Sequence, residues 1–361
     1  MERKYKVAVI GATGMVGQRF VSLLSDHPWF EINALAASAG SAGRTYEEAV
    51  KGRWAFPWPI PETVRTMTVL DASNVDQIAQ RCDFAFCAVN MKKDEIRALE
   101  EAIAKTETPV VSNNSANRMV PDVPMIIPEI NPQHAGIIAL QRKRLGTRTG
   151  FITVKPNCSI QSYVPALSAL MDLEPQKVVV STYQAISGAG KTFERWPEMV
   201  DNVIPYIGGE EEKSEQEPLK IWGHIQDGAI VPASSPVISA HCVRVSVADG
   251  HLATCWVSFG KKASREEIIA RWREYTGLPQ QLSLPSAPTP FLQYFDEPDR
   301  PQTRLDRDFG NGMGISLGRL RGDSLFDWRF VGLSHNTLRG AAGGGVLIAE
   351  LLCQQGYIPH K

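Results

Sequence analysis

The run Lys6-Val7-Ala8-Val9-Ile10 passes directly into Gly11-Ala12-Thr13-Gly14-Met15-Val16-Gly17-Gln18. The first five residues are nearly all apolar, as in a parallel strand buried on both faces. Beyond the glycines, Val16, Phe20, Leu23 and Leu24 recur at helical spacing. Strand, glycine turn and helix in that order open a dinucleotide-binding fold. The glycines close the turn, admit backbone to a pyrophosphate and let helix pack on strand. The spacing is G-x-x-G-x-x-G rather than the commoner G-x-G-x-x-G, so the weight comes from the context. Strand-like runs at 31–37, 66–70, 84–89 and 110–112 follow, with a helical stretch at 94–104. Such alternation predicts an α/β fold built on a parallel, doubly wound sheet.

At 361 residues the chain is long enough for two domains. A net charge of −1 gives no reason to expect nucleic acid or an anionic membrane as partner. No apolar run reaches the roughly 18 residues of a membrane span. Residues 1–5 lead straight into a strand, so no leader peptide is expected. The six cysteines show neither a metal-type CxxC pair nor disulfide spacing. They point to a reducing compartment, the cytoplasm, and to no metal centre.

After the second strand stands Ala36-Ala37-Ser38-Ala39-Gly40-Ser41-Ala42-Gly43-Arg44. An NAD-specific unit carries an acidic residue there for the ribose 2′-hydroxyl. Small hydroxyls, glycines and an arginine suit a 2′-phosphate better, which favours NADP. The polar loop at 113–119 follows a strand, where open α/β sheets bind ligands, and its Arg118 can fork onto a phosphate. The proline-rich stretch 54–61 forbids regular structure and is expected to cover an edge or a subunit contact. The basic run 142–148 reads as a solvated connector.

A second organising stretch is Lys155-Pro156-Asn157-Cys158-Ser159. It closes a strand at 150–154 and opens an apolar segment, 160–171, with helix-like spacing. A cysteine at a helix start meets free N–H groups and the positive dipole end, which stabilise a thiolate and can hold an oxyanion. Cys158 is therefore a candidate nucleophile; a buried structural cysteine is the alternative. A strand at 178–186 carries Gln184 near its end. Another, at 243–247, starts about Arg244, and His251 sits on or just past the turn before a strand at 252–259. A histidine beside a thiol can take its proton. Glu210-Glu211-Glu212 with Lys213 suits a helix start. Small residues at 340–345 open a last apolar helix at 346–352, expected to pack on the first domain.

With these residues collected, the chain resembles the aspartate-semialdehyde dehydrogenases, in the branch found in archaea and fungi. The likeness runs nearly end to end. It rests on residues 11–17, on Pro156-Asn157-Cys158-Ser159 and on Gln184-Ala185-Ile186-Ser187-Gly188-Ala189-Gly190. It rests also on residues 204–213, 238–245 with Gly250-His251, 299–302 and 336–342. The resemblance implies NADPH-dependent reductive dephosphorylation of L-aspartyl 4-phosphate to the semialdehyde through a cysteine thioester, in lysine, threonine, methionine and isoleucine biosynthesis. It implies Cys158 as nucleophile, His251 as acid/base, and Gln184 orienting the acyl group. The amides near Asn157 and Cys158 would hold the oxyanion. Arg244 would take the substrate α-carboxylate, Glu210 the α-ammonium, and Lys213 and Arg118 the phosphate. Gly11, Thr13, Gly14, Met15, Val16, Ser38, Ser41, Gly188 and Asn336 would bind the cofactor.

The resemblance further implies an NADP-binding domain of residues 1–156 and 337–361. A catalytic and dimerisation domain with a mixed sheet would span 157–336, in a homodimer or homotetramer. Three positions depart from the family pattern: Gly40 replaces an arginine, Lys191 a tyrosine and Ser246 a proline. Two alternatives stand beside this reading. One is a malonyl-CoA reductase with the same fold and thioester route, and the other a dinucleotide-binding sensor without turnover.

Overall fold

The structure, a computed structural model, describes residues 3–361. Its first sheet is formed by β1 (Tyr5–Ile10), β2 (Phe30–Ala37), β3 (Val69–Asp71), β4 (Phe84–Cys87), β5 (Val110–Ser112) and β6 (Ile152–Val154). The order is β3-β2-β1-β4-β5-β6, and every pairing is parallel. This is the doubly wound arrangement, with strand order reversing beside β1, where such sheets bind their ligands. The third strand is shorter and later than expected: Thr66 closes the helix Glu62–Arg65, and pairing begins at Val69.

The apolar character of β1 follows from its central place. Val7 and Val9 pack on one side with Phe20, Phe84 and Phe86. Ala8 and Ile10 pack on the other with Ala85, Val110 and Ile152. A strand buried on both faces leaves no room for polar residues at either parity. The helix Met15–Leu24 buries Phe20, Val21 and Leu24, and the last helix, Gly343–Gln354, joins the same layer through Val346, Leu347 and Leu351.

The second half contains β7 (Pro175–Gln184), β8 (Val203–Ile204), β9 (His224–Gln226), β10 (Ala229–Val231), β11 (Val237–Val245), β12 (His251–Phe259), β13 (Leu292–Phe295), β14 (Ile315–Gly322) and β15 (Trp328–Ser334). β9 and β10 form a separate hairpin. The other strands make a mixed sheet of order β13-β14-β15-β12-β7-β11-β8. At its centre β7 runs parallel to β11 and antiparallel to β12.

That register positions the site. Arg244 lies opposite Gln184, and Leu252 lies opposite Tyr183. One end of three adjacent strands therefore carries Gln184, Arg244 and His251. Each also belongs to the inward row of its strand: Val178, Val180, Thr182 and Gln184 on β7; Ile238, Cys242 and Arg244 on β11; His251, Ala253, Cys255 and Val257 on β12. Arg244 consequently sits near the end of its strand, not at its start as its sequence context suggested.

The apolar stretch after Cys158 is not one helix. It is a 3-10 turn at Ser159–Ser162, a short α-helix at Val164–Ser168 and another turn at Met171–Leu173. Pro165 explains the break, since proline inside a helix removes one N–H and clashes with the preceding turn. The basic run is likewise no free connector. Much of it is the last turn of the helix Ile138–Leu145, stopped by left-handed Gly146, with Arg144 paired to Asp122 and Glu101.

Gly11 has φ +85°, and a Cβ there would stand 2.3 Å from the Ala88 carbonyl oxygen. Gly11→Ala is expected to destabilise the fold by about 2–4 kcal/mol through strain and overlap. Urea unfolding measures this, and an unchanged midpoint would contradict the close packing described.

Candidate active site

Cys158 is partly exposed and leads the 3-10 turn after β6. The loop that holds it is tied down by two carboxylates of one helix, Glu210–Ile221. Asn157 Nδ2 donates to Glu210 Oε1 and Oε2 at 3.1 and 3.0 Å. The Asn157 backbone N–H donates to Glu217 Oε2 at 2.6 Å. Asn157 Oδ1 in turn accepts from the Ser159 N–H and hydroxyl. Of the two amides at Asn157 and Cys158, the first is thus committed, which leaves that of Cys158 for an oxyanion.

Glu210 also gathers Lys213 Nζ at 2.7 Å and Gln184 Nε2 at 3.3 Å. Although burial works to raise its pKa, Lys213, Asn157 and Gln184 together hold the carboxyl below its usual value. An ammonium ligand would enter this cluster by replacing one of those donors.

The backbone of Ala185 organises the other two groups. Its carbonyl accepts from Arg244 Nη1 at 2.7 Å, and its N–H donates to His251 Nδ1 at 3.1 Å. The second bond places the proton of the neutral ring on Nε2. That nitrogen is buried and, among the described residues, has no partner. Burial, reinforced by Arg244, pulls the His251 pKa down to about 3. The imidazole is therefore a neutral N–H donor near neutral pH, rather than a free base waiting for the thiol proton. Gly188 lies over both groups: a Cβ there would come within 2.9 Å of Arg244 Nη1 and 3.0 Å of His251 Nε2.

Burial, with Glu210, pushes the Cys158 thiol above its ordinary value, against Lys155, Arg118 and Arg244. The helix-dipole expectation of a ready thiolate is thereby corrected. The turn after Cys158 is too short and too enclosed to outweigh desolvation.

Arg118 does not hang free. It donates to Glu217, to the Lys155 carbonyl and to the Asn113 carbonyl. With Lys213 and Glu217 it lines a cavity of about 410 Å³. A separate cavity of about 430 Å³ runs from Met15 and Arg19 to Ser187, Asp249 and His335. Asn336 stands beside it, accepting from Gly250 N–H and donating to Ser187 Oγ, each at 2.8 Å. The Gly14 N-cap makes no side-chain bond to the helix it opens, so the amides from Met15 onward can receive an anionic group. Gly11, Thr13 and Val16 share that turn with them. Ser38 and Ser41 lie beyond β2, Ser38 exposed and Ser41 buried.

Residues 6–137 match the family profile described as semialdehyde dehydrogenase, NAD binding domain, and residues 167–339 the one described as semialdehyde dehydrogenase, dimerisation domain. The aspartate-semialdehyde dehydrogenase of Archaeoglobus fulgidus is 42% identical, covering 98% of this chain and 100% of its own. That of Aspergillus fumigatus is also 42% identical, over 98% and 99%. The chain belongs to the aspartate-semialdehyde dehydrogenase family. A crystal structure of the Candida albicans aspartate-semialdehyde dehydrogenase with NADP aligns at a TM-score of 0.88 and 38% identity, over 99% of this chain and 100% of that one.

Several groups in this candidate site escape a linear reading. Glu217 had a signal: it falls seven residues after Glu210, on the same helical face. Lys155 is fully enclosed behind Cys158, its pKa pulled by burial down to about 7, and nothing in its sequence context distinguished it. The stretch 54–61 walls the larger cavity: Phe56 stacks on Trp58 at 4.9 Å, and Arg19 lies 4.1 Å from the Phe56 ring centre.

Glu217→Ala leaves Arg118 buried without its counter-charge, and a loss of about 3–5 kcal/mol is expected. Urea or thermal unfolding checks it; a stability change under about 1 kcal/mol would show that Glu217 is not a keystone. Alkylation of Cys158 by iodoacetamide in the free protein is expected to rise with pH, with a midpoint above the ordinary thiol range. A midpoint near neutrality would contradict the electrostatics above.

Proposed function

We propose that this chain reduces L-aspartyl 4-phosphate to L-aspartate 4-semialdehyde, releasing phosphate. The observation that carries the reading is the cluster of Asn157, Glu210, Gln184, Arg244 and His251 at the Cys158 loop, in a chain related to these enzymes along nearly its whole length.

The residues divide the work by chemistry. Arg244 spends one N–H on Ala185 and keeps others for a carboxylate. Glu210 offers the negative charge for an α-ammonium. Lys213 and Arg118, sharing a cavity, supply cations for a departing phosphate. Cys158 Sγ, its proton lost to solvent through its exposed side, attacks the acyl carbon; the carbon–oxygen bond to phosphate breaks, phosphate leaves as the anion and a thioester remains. The Cys158 amide and His251 Nε2–H stabilise the oxygen that carries negative charge at each tetrahedral stage. Gln184, held between Thr182 and Glu210, is placed to orient the acyl group.

NADPH, when bound, supplies the hydride that reduces the thioester carbon, after which the carbon–sulfur bond breaks and the thiolate is regenerated. The glycine turn, Met15, Val16, Ser38, Ser41, Gly188 and Asn336 would hold that cofactor. The 430 Å³ cavity, the free first-turn amides and a β2 terminus without an acidic side chain fit it. On this reading residues 1–156 and 337–361 bind cofactor, and 157–336 carry catalysis and the contacts of a homodimer or homotetramer. The six unpaired thiols suit the cytoplasm. Among the described residues no helix is long and apolar enough to cross a membrane.

The test supplies aspartate semialdehyde, phosphate and NADP and follows formation of reduced cofactor by absorbance. Turnover is expected, and Cys158→Ala is expected to abolish it while leaving cofactor binding in place. Absent turnover with these substrates, together with oxidation of NADPH by malonyl-CoA, would replace this reading with the thioester-reductase alternative.

A further inference from the structure

The turn that follows β2 offers a 2′-phosphate two hydroxyls, and its own arginine, Arg44, stands exposed at its far end. Ser38 and Ser41 stand in it, and Gly40 lies between them. A Cβ at Gly40 would meet open space, with no heavy atom within 4 Å. The guanidinium that reaches this turn comes from farther along the chain. Arg53 Nη2 donates to Ser41 Oγ at 3.0 Å.

Three features make Arg53 more than a surface cation. Its Nε and Nη2 both donate to the Ala49 carbonyl, at 2.8 and 2.6 Å, so the side chain is already ordered before any ligand arrives. Its backbone is anchored to the glycine turn. The buried Gln18 side chain donates to the Thr13 and Arg53 carbonyls at 2.9 and 3.0 Å and accepts from Ala55 N–H at 2.8 Å. Tyr46, from the helix preceding Arg53, bonds the Ala12 carbonyl at 2.9 Å. Arg53 thus bridges the turns at the ends of β1 and β2, the two that flank the adenosine half of a dinucleotide in this sheet order. Among the described residues it has no carboxylate partner, and Nη1 is uncommitted.

We propose that Arg53 recognises the 2′-phosphate of the cofactor and sets the preference for NADPH over NADH. The inference rests on the cofactor reading above and adds the group that enforces it. A planar guanidinium beside the Ser41 hydroxyl can present paired N–H donors to a phosphate but has no acceptor for a 2′-hydroxyl.

The experiment is fluorescence titration of the full-length protein with NADPH and with NADH, without substrate. It compares the unaltered protein with Arg53→Gln and with Arg53→Gln combined with Gly40→Arg. Loss of a charge-assisted contact is expected to raise the NADPH dissociation constant about 10- to 100-fold in Arg53→Gln, with NADH affinity unchanged. The open space at Gly40 should let the added arginine restore much of the loss. NADPH affinity unchanged in Arg53→Gln, or equal weakening of both cofactors with no rescue, would overturn the proposal. If the unaltered protein fails to prefer NADPH, the cofactor reading fails first, independently of Arg53.

Discussion

Two carboxylates on one helical face hold this site together. Glu210 and Glu217, buried on the helix Glu210–Ile221, grip the side chain and the backbone of Asn157. Because Asn157 precedes Cys158, that grip fixes the candidate nucleophile. Glu217 also binds Arg118 and Glu210 binds Lys213, so the candidate phosphate cations hang from the same carboxylates. Buried charges persist only where they are paired and hydrogen-bonded. Here the bonds of Glu217 to Arg118 and of both carboxylates to Asn157 join segments far apart in the chain, and the Cys158 loop is a joint of the tertiary structure.

The resting site is electrostatically quiet. Burial keeps the Cys158 thiol protonated and the His251 imidazole neutral, while the flanking cations limit how far the thiol rises. Such a site ionises its sulfur less readily than an exposed cysteine would. In return, a buried N–H aimed at a developing oxyanion would count for more than it does in water. The uncommitted Nε2–H of His251 is the clearest case. A buried donor without a partner costs stability in the free protein and is repaid when an oxygen carrying charge meets it.

The two sheets contribute different things. The parallel sheet supplies free amides at a glycine turn and a cavity walled by Phe56, Trp58 and Arg19. The mixed sheet supplies side chains at the aligned ends of β7, β11 and β12. They meet where Gly340, after β15, packs against Cys158, after β6, a Cβ there falling 2.8 Å from Cys158 Cβ.

Local sequence was enough for the parallel sheet, because strands buried on both faces read as apolar runs and the glycine turn has one physical use. The family resemblance, more than any local pattern, singled out Cys158, Gln184, Arg244 and His251 as candidate site residues. Local sequence misplaced Arg244 along its strand and drew one helix where Pro165 forces two turns and a short helix, because a short apolar run looks alike in either state. What the tertiary structure alone decided is the set of partners. The joining of Asn157 to Glu217, of Arg53 to Ser41 and of His251 to the Ala185 amide depends on strand register and domain packing. Protonation followed from the same cause: a thiol and an imidazole take their charge from the water and ions around them, and those neighbours come from distant parts of the chain.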